Sequence, residues 1–182
     1  MKRAMIVPPD VAGAALAELK QWLAISNTRE DEGLAALLYA ALDTCEAFTG
    51  LMPLEAACEE TLPAVLDWQR IAASPVNAIT GVAALHADGT RMALPVDGYL
   101  IDITADGCGR VRLTRAIEHT RIVASFHAGL AADWDSLPEG LRHGVVRLAA
   151  HQYRERDGTD AGQSPPRAVS AFWQPWRRMR LA

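Results

Sequence analysis

Residues 74–103, SPVNAITGVAALHADGTRMALPVDGYLIDI, change the rhythm of the chain. Before them, apolar residues recur every three or four positions. Here Val, Ile, Thr and Tyr gather into short runs separated by glycine and proline, the composition of a pleated, half-buried surface. The spacing predicts strands over 76–85, 91–95 and 99–103, with Asp88-Gly89 supplying a tight turn between the first two. Working outward, 110–113 and 121–126 read as further strands, and Asp106-Gly107 offers a second turn. The stretch 61–70 reads as one more strand, although its mixed pattern also admits a helix. An antiparallel β-subdomain of five or six strands follows.

On either side of this block the period is helical. Leu16, Leu19, Trp22 and Leu23 mark a first helix over 10–25, with Asp10 as its expected N-cap. A polar break at Ser26-Asn27-Thr28 precedes Glu30, Asp31 and Glu32, acids that suit the positive end of a helix dipole, and Thr28 with Asp31 resembles a capping box. Leu34, Leu37, Leu38, Ala41, Leu42, Cys45 and Phe48 form the stripe of a second helix that Gly50 should stop. Together the two make an αα-hairpin. Helix signals return at Pro138, where Leu141, Val145, Leu148 and Ala149, widened by Val146, Ala150 and Tyr153, define a broad third helix ending near Asp157-Gly158. Residues 158–164 read as a flexible connector. A fourth helix starts near Ser164 and Pro165 and should end or kink before Gln174, because Pro175 removes a backbone hydrogen bond and clashes one turn back.

The fold class is therefore α+β: a four-helix core, built from the helical hairpin and two C-terminal helices, with the antiparallel β-subdomain inserted between helices two and three. The expected segments are 1–52 for the hairpin, 53–136 for the β-subdomain, 137–158 for the third helix and 159–182 for the connector and C-terminal segment.

Composition narrows the function. The 182 residues are half apolar and 22% charged, which argues for a packed domain and against wholesale disorder. Net charge is −4 overall. Residues 164–182, SPPRAVSAFWQPWRRMRLA, hold four Arg and no acid, so the remainder carries 14 basic against 22 acidic residues, or −8. An acidic body opposes tight nonspecific duplex binding, which depends on Lys and Arg neutralising phosphates. Three separated cysteines, Cys45, Cys58 and Cys108, suggest neither a disulfide framework nor a thiolate metal site, and a reducing compartment is expected. No apolar run reaches the length of a membrane span, so a cytoplasmic location and no membrane partner are expected.

Catalytic patterns do not emerge. His86, His119, His127, His143 and His151 lack metal-ligand spacing, and the two on one helix stand eight residues apart. Phosphate loops, dinucleotide fingerprints and nucleophile elbows are missing. Gly107-Cys108-Gly109 reads as a turn, and Asp97, Asp102 and Asp106 read as hairpin chemistry. The expectation is a non-enzyme with no cofactor and no metal.

The C-terminal segment is the candidate site. Val169, Phe172, Trp173 and Trp176 fall at i, i+3, i+4 and i+7, and Arg167, Arg177, Arg178 and Arg180 accompany them. Three readings are open: a last helix closing its own core, a docking segment for another protein, and an Arg-rich end for nucleic acid. The connector favours docking. The expected partner-binding residues are Arg167, Phe172, Trp173, Trp176, Arg177, Arg178 and Arg180.

In order, the elements resemble the head–tail connector, or adaptor, proteins of long-tailed phages and gene transfer agents. The stretches that carry the resemblance are LAELKQWLAISNTREDEGLAALLYAALDTCEAFTG (16–50), the strand block 74–103, LPEGLRHGVVRLAAHQYRERDG (137–158) and PPRAVSAFWQPWRRMRL (165–181). Individual matches are the acidic start of helix two and its Phe48-Thr49-Gly50 end, the Asp88-Gly89 hairpin, Tyr99, Leu137-Pro138, Tyr153 and the Pro-Trp-Arg-Arg finish. These are scaffold patterns rather than a catalytic signature.

The resemblance implies a ring, usually dodecameric, seated beneath the portal of a DNA-filled capsid and joined on its other side to a tail-side connector or stopper protein. It implies that DNA passes through the lumen without specific binding, that the C-terminal segment engages the portal, and that assembly in the cytoplasm leads into the virion or phage-like particle. The rival expectation is a small DNA-binding regulator using the basic aromatic end.

Overall fold

The structure is a computed structural model that describes residues 2–155 and 165–178. It is α+β, with four helices and antiparallel sheets. The chain forms two compact units: a β unit, made of the chain up to Pro8 and Glu55–Gly129, and a helical unit, made of Pro9–Leu54 and the chain from Leu130 onward.

In the β unit, strands β1 (Lys2–Val7), β2 (Ala56–Pro63), β4 (Val76–Leu85), β5 (Arg91–Ala93) and β8 (Arg121–Ala128) form a sheet in the order β1-β2-β8-β4-β5. Strands β3 (Gln69–Arg70), β6 (Tyr99–Ile103) and β7 (Gly109–Leu113) form a second, in the order β3-β7-β6. β8 is central and pairs with β2 from Ala128 opposite Ala56 to Arg121 opposite Pro63, and on its other side with β4. Its run Ile122-Val123-Ala124 is buried on successive positions, as a strand covered on both faces requires. In β7 burial alternates: Gly109, Val111 and Leu113 face inward while Arg110 and Arg112 face outward and flank the Trp68 ring at 5.6 and 5.0 Å.

The interior of this unit is built from Leu62, Ile71, Val82, Val111, Leu113, Ile122 and Phe126, with the polar Ser74 and Glu60 buried among the described residues. Glu60 is fully buried; its Oε2 accepts the Ala72 amide at 2.8 Å, and Oε1 has no hydrogen-bond partner. Burial pushes its carboxyl above the usual range, opposed by the Ala72 amide and by the charge of Arg3, its cross-strand neighbour.

The helical unit packs α1 (Ala14–Leu23), α2 (Asp31–Thr49), α3 (Glu139–Arg154) and α4 (Arg167–Trp173), the last followed by a 3₁₀ turn at Gln174–Trp176. One apolar cluster runs through Leu19 of α1, Leu34, Leu38, Ala41 and Cys45 of α2, Leu141, Val145 and Ala149 of α3, and Val169 and Trp173 of α4. α4 ends at Trp173, before the Gln174 boundary expected from Pro175. Gly50 closes α2 at φ 74°.

Several local expectations change. Asp10 does not cap α1, whose N-cap is Gly13; its carboxylate accepts the Ala12 amide at 2.8 Å and closes a turn ahead of the helix. Thr28 and Asp31 do not form a capping box, because Asp31 is taken by the Lys20 ammonium at 2.6 Å, tying α1 to α2. The expected strand over 61–70 lies earlier and is interrupted: β2 ends at Pro63, and only Gln69–Arg70 pairs again. Residues 2–7, which fell within the 1–52 hairpin segment on sequence, form the edge strand β1 against β2, from Lys2 opposite Thr61 to Val7 opposite Ala57.

Candidate functional site

The C-terminal segment lies against the ends of α2 and α3, and its seat begins with a missing side chain. A Cβ at residue 144, in the second turn of α3, would stand 2.2 Å from the Trp173 indole nitrogen. Gly144 thus leaves a slot in the helix face, and the indole fills it. Trp173 is fully buried and its Nε1 donates to the Leu141 carbonyl at 3.3 Å, which satisfies the one polar atom the ring carries inside. The Phe48 ring lies 6.0 Å away, tilted by 50°.

Trp173 was expected among the partner-contacting residues, and the structure gives it a different place. It is enclosed in its own unit and has no surface to present. Its helical spacing with Val169, also buried, reflects an inward stripe. Phe172 and Trp176 are half-buried on the flanks of that stripe. Arg167 is exposed on the first turn of α4. Arg177 is exposed, with its guanidinium 5.4 Å from the Phe48 ring centre. Arg178 is half-buried and its backbone amide donates to the Thr49 carbonyl at 2.9 Å. Arg180 and the expected connector at 158–164 lie outside the described residues.

Phe48, Thr49 and Gly50 therefore form the receiving end. The Thr49 hydroxyl donates to the Cys45 carbonyl at 2.7 Å and accepts the Leu51 amide at 3.1 Å. This shapes the turn at the end of α2 and leaves the Thr49 carbonyl for Arg178.

A second cluster gathers around Phe172 of α4. The His143 ring stands edge-on to Trp22 at 5.4 Å and to Phe172 at 4.9 Å. The Arg147 guanidinium, one turn further along α3, lies 5.7 Å from the Trp22 ring centre and 5.5 Å from that of Phe172. A shallow cleft beside it is lined by Glu18, Glu139, Gly140, Arg142, His143 and Phe172. Glu18 is engaged there, accepting from the Trp134 indole at 2.8 Å. Sequence reading missed Trp22, His143, Gly144 and Arg147 as neighbours of the tail; an isolated glycine inside a strong helical pattern was the one available signal.

The chemistry of this surface is aromatic and cationic. Cys45 is buried beneath it, and burial pushes its thiol up to about 12, so it stays protonated and unreactive. The remaining histidines have local partners: the His86 and His119 ring centres lie 4.0 Å apart with the planes tilted by 50°, His127 faces Glu55 at 3.6 Å and His151 faces Glu155 at 3.0 Å. Among the described residues no three or more His, Cys, Asp or Glu side chains converge as a metal site, and no helix is long and apolar enough to cross a membrane.

No protein-family model matches the chain, and no curated protein does. Solved structures do match. A chain in the neck of an empty gene transfer agent particle, computed with C6 symmetry, is similar at TM-score 0.79 and 24% identity, over 100% of this chain and 98% of that one. A chain in the virion of a native gene transfer agent particle matches at 0.73 and 24%, with the same coverage. A chain in the neck of the native particle, computed with C12 symmetry, matches at 0.73 and 23%, again over 100% and 98%. Along its whole length, the protein shares its fold with chains of gene transfer agent particles.

Proposed function

We propose that this protein is a structural adaptor of a phage-like particle: a ring subunit that joins the portal of a DNA-filled capsid to the tail-side connector and lets DNA pass. The observation that carries this is the end-to-end likeness to a neck chain at TM-score 0.79, with neither chain leaving a domain unmatched. Symmetries of C6 and C12 in those necks support a ring, and a dodecamer is the stoichiometry we adopt. On this reading the helical unit is the scaffold of the ring, and the β unit, apart from its N-terminal strand β1, is an insertion between the second and third helices. Catalysis has no part, and assembly in the cytoplasm precedes incorporation into the particle.

Charge supports the reading. A conduit through which DNA slides should not gain affinity by releasing counterions from phosphate, and a body of −8 outside residues 164–182 meets that condition. The exposed Arg167 and Arg177 suit an acidic collar on the portal, and the sequence adds Arg178 and Arg180 beside them, while Trp173 anchors the segment. Electron microscopy of the protein mixed with its portal protein tests this. A ring stacked on the portal is expected; no association between the two would reject the adaptor role.

A further inference from the structure

Of the four terminal strands of the two sheets, β1, β5, β3 and β6, the two longest are β1 and β6, and they are unlike. β1 is the terminal strand of the five-stranded sheet and pairs with β2 alone; β6 is the terminal strand of the other sheet and pairs with β7 alone. Open edges usually carry charge, proline or a cover that prevents further pairing. β1 carries Lys2 and Arg3, a bulge between Met5 and Val7 and Pro8 just beyond it, and β6 carries Asp102, yet both also expose apolar side chains. Ile6 and Val7 on β1 are 54% and 59% exposed, and Leu100 and Ile101 on β6 are 43% and 45% exposed. Met5 and Ile103 extend the two rows. The lengths match, at six residues and five.

The charges are opposite. Residues 1–9 contain Lys2 and Arg3 and no acid, and residues 95–107 contain Asp97, Asp102 and Asp106 and no base, although within the subunit Arg3 faces Glu60, Asp102 pairs with Arg110 and Asp97 lies 3.8 Å from Arg115. Pairing β1 with β1, or β6 with β6, sets like charge against like, whereas pairing β1 with β6 sets basic against acidic. Resting on the ring reading above, we propose that the outer edge of β6 in one subunit pairs with the outer edge of β1 in the next copy of this chain, continuing a sheet across the subunit boundary.

The geometry has a consequence for assembly. A contact between two different edges is heterologous, so each subunit keeps one edge of each kind free for a further neighbour until the circle closes. Like-with-like pairing would stop at a two-fold dimer. Backbone hydrogen bonds between the edges supply adhesion, and the exposed Ile, Leu and Val side chains are covered by the same step.

Site-directed cross-linking tests this in the full chain. Cys45 and Cys58 are buried, so Cys108→Ser gives a background without a reachable thiol. In that background Ile6→Cys, Ile101→Cys and the double variant are treated with a flexible bis-maleimide, free and on portal rings, after circular dichroism and sedimentation establish that each folds and assembles as wild type. The double variant should give a ladder of covalent multimers in denaturing gels, and each single variant should stay at monomer mass. A covalent dimer from either single variant means like-with-like pairing and overturns the proposal. Rings without a ladder from the double variant overturn it while leaving the adaptor reading intact. A chain that stays monomeric both alone and with the portal overturns both.

Discussion

The Trp173 indole nitrogen occupies the space that a Cβ on Gly144 would take, 2.2 Å from where that carbon would stand. Two residues 29 positions apart in sequence thus form one joint, and it decides how the aromatic, arginine-rich end of the chain is held. The same contact fixes a prediction with a definite sign.

Alanine normally favours a helix interior over glycine by about 1 kcal/mol. At 144 the added methyl meets a fully buried ring whose nitrogen is hydrogen-bonded, so overpacking outweighs propensity. Gly144→Ala should lower stability by about 1–3 kcal/mol in urea unfolding. Trp173→Ala should cost about 3–5 kcal/mol. Combining Gly144→Ala with Trp173→Leu should cost less than the sum, because the smaller side chain removes the clash.

Two positive-φ glycines separate backbone strain from contact. Gly50 has φ 74° and its added Cβ would find nothing closer than Arg178 Cβ at 3.8 Å. Gly107 has φ 75°, and there the Cβ would stand 2.5 Å from Pro75 Cβ and 2.9 Å from its Cα. Gly50→Ala should cost about 1–2 kcal/mol from the left-handed conformation alone. Gly107→Ala should cost visibly more in the same denaturation assay; equal losses would mean that Pro75 yields freely.

Glu60 makes stability depend on pH. Burial, first of the causes, raises its folded carboxyl above the ordinary 4.5 against the pull of the Ala72 amide and Arg3. From 4.5 upward the unfolded chain loses this proton while the folded chain keeps it, so the native state binds more protons and stability falls as pH rises through that window. Below it, the protonated carboxyl costs nothing extra. Glu60→Gln, which carries no charge, should flatten this dependence in thermal melts between pH 4 and 8, with its advantage over wild type growing toward the neutral side.

The exposed cations of the C-terminal segment can be reversed without opening the core. Arg177 lies over Phe48 in a contact of about 0.5–1 kcal/mol at an exposed site. Arg167→Glu with Arg177→Glu should therefore leave the melting temperature within a few degrees of wild type while attachment to the portal drops at least tenfold. Deleting 165–182 is a poorer probe, because it removes Val169 and Trp173 from the helical core and unfolds what it is meant to spare.

The rival use of those arginines is settled by salt. A DNA-binding regulator would hold duplex DNA at low ionic strength and release it steeply as salt rises. An acidic body should show no such retention in a gel shift, and a strong salt-dependent shift by the isolated protein would refute the conduit reading.

Local pattern alone defined the α+β class, the stripes of α1, α2 and α3, the strands β4 and β6 and the turns joining β4 to β5 and β6 to β7. Each of those signals lies within about a dozen residues, where period and turn chemistry act directly. Pairing over long separation is different. β1 is a short edge strand whose partner begins at Ala56, and β2, with its Ala, Cys and Glu, is a strand because β8 lies beside it and not from propensity. Trp173 shows the same limit at the site: the sequence left a core helix, a docking segment and a nucleic-acid end open and favoured docking, and only the notch at Gly144 and the Thr49 carbonyl decided that Trp173 buries against its own chain while Arg167 and Arg177 stay exposed. Side-chain period is a property of one segment, whereas a slot needs the face of another.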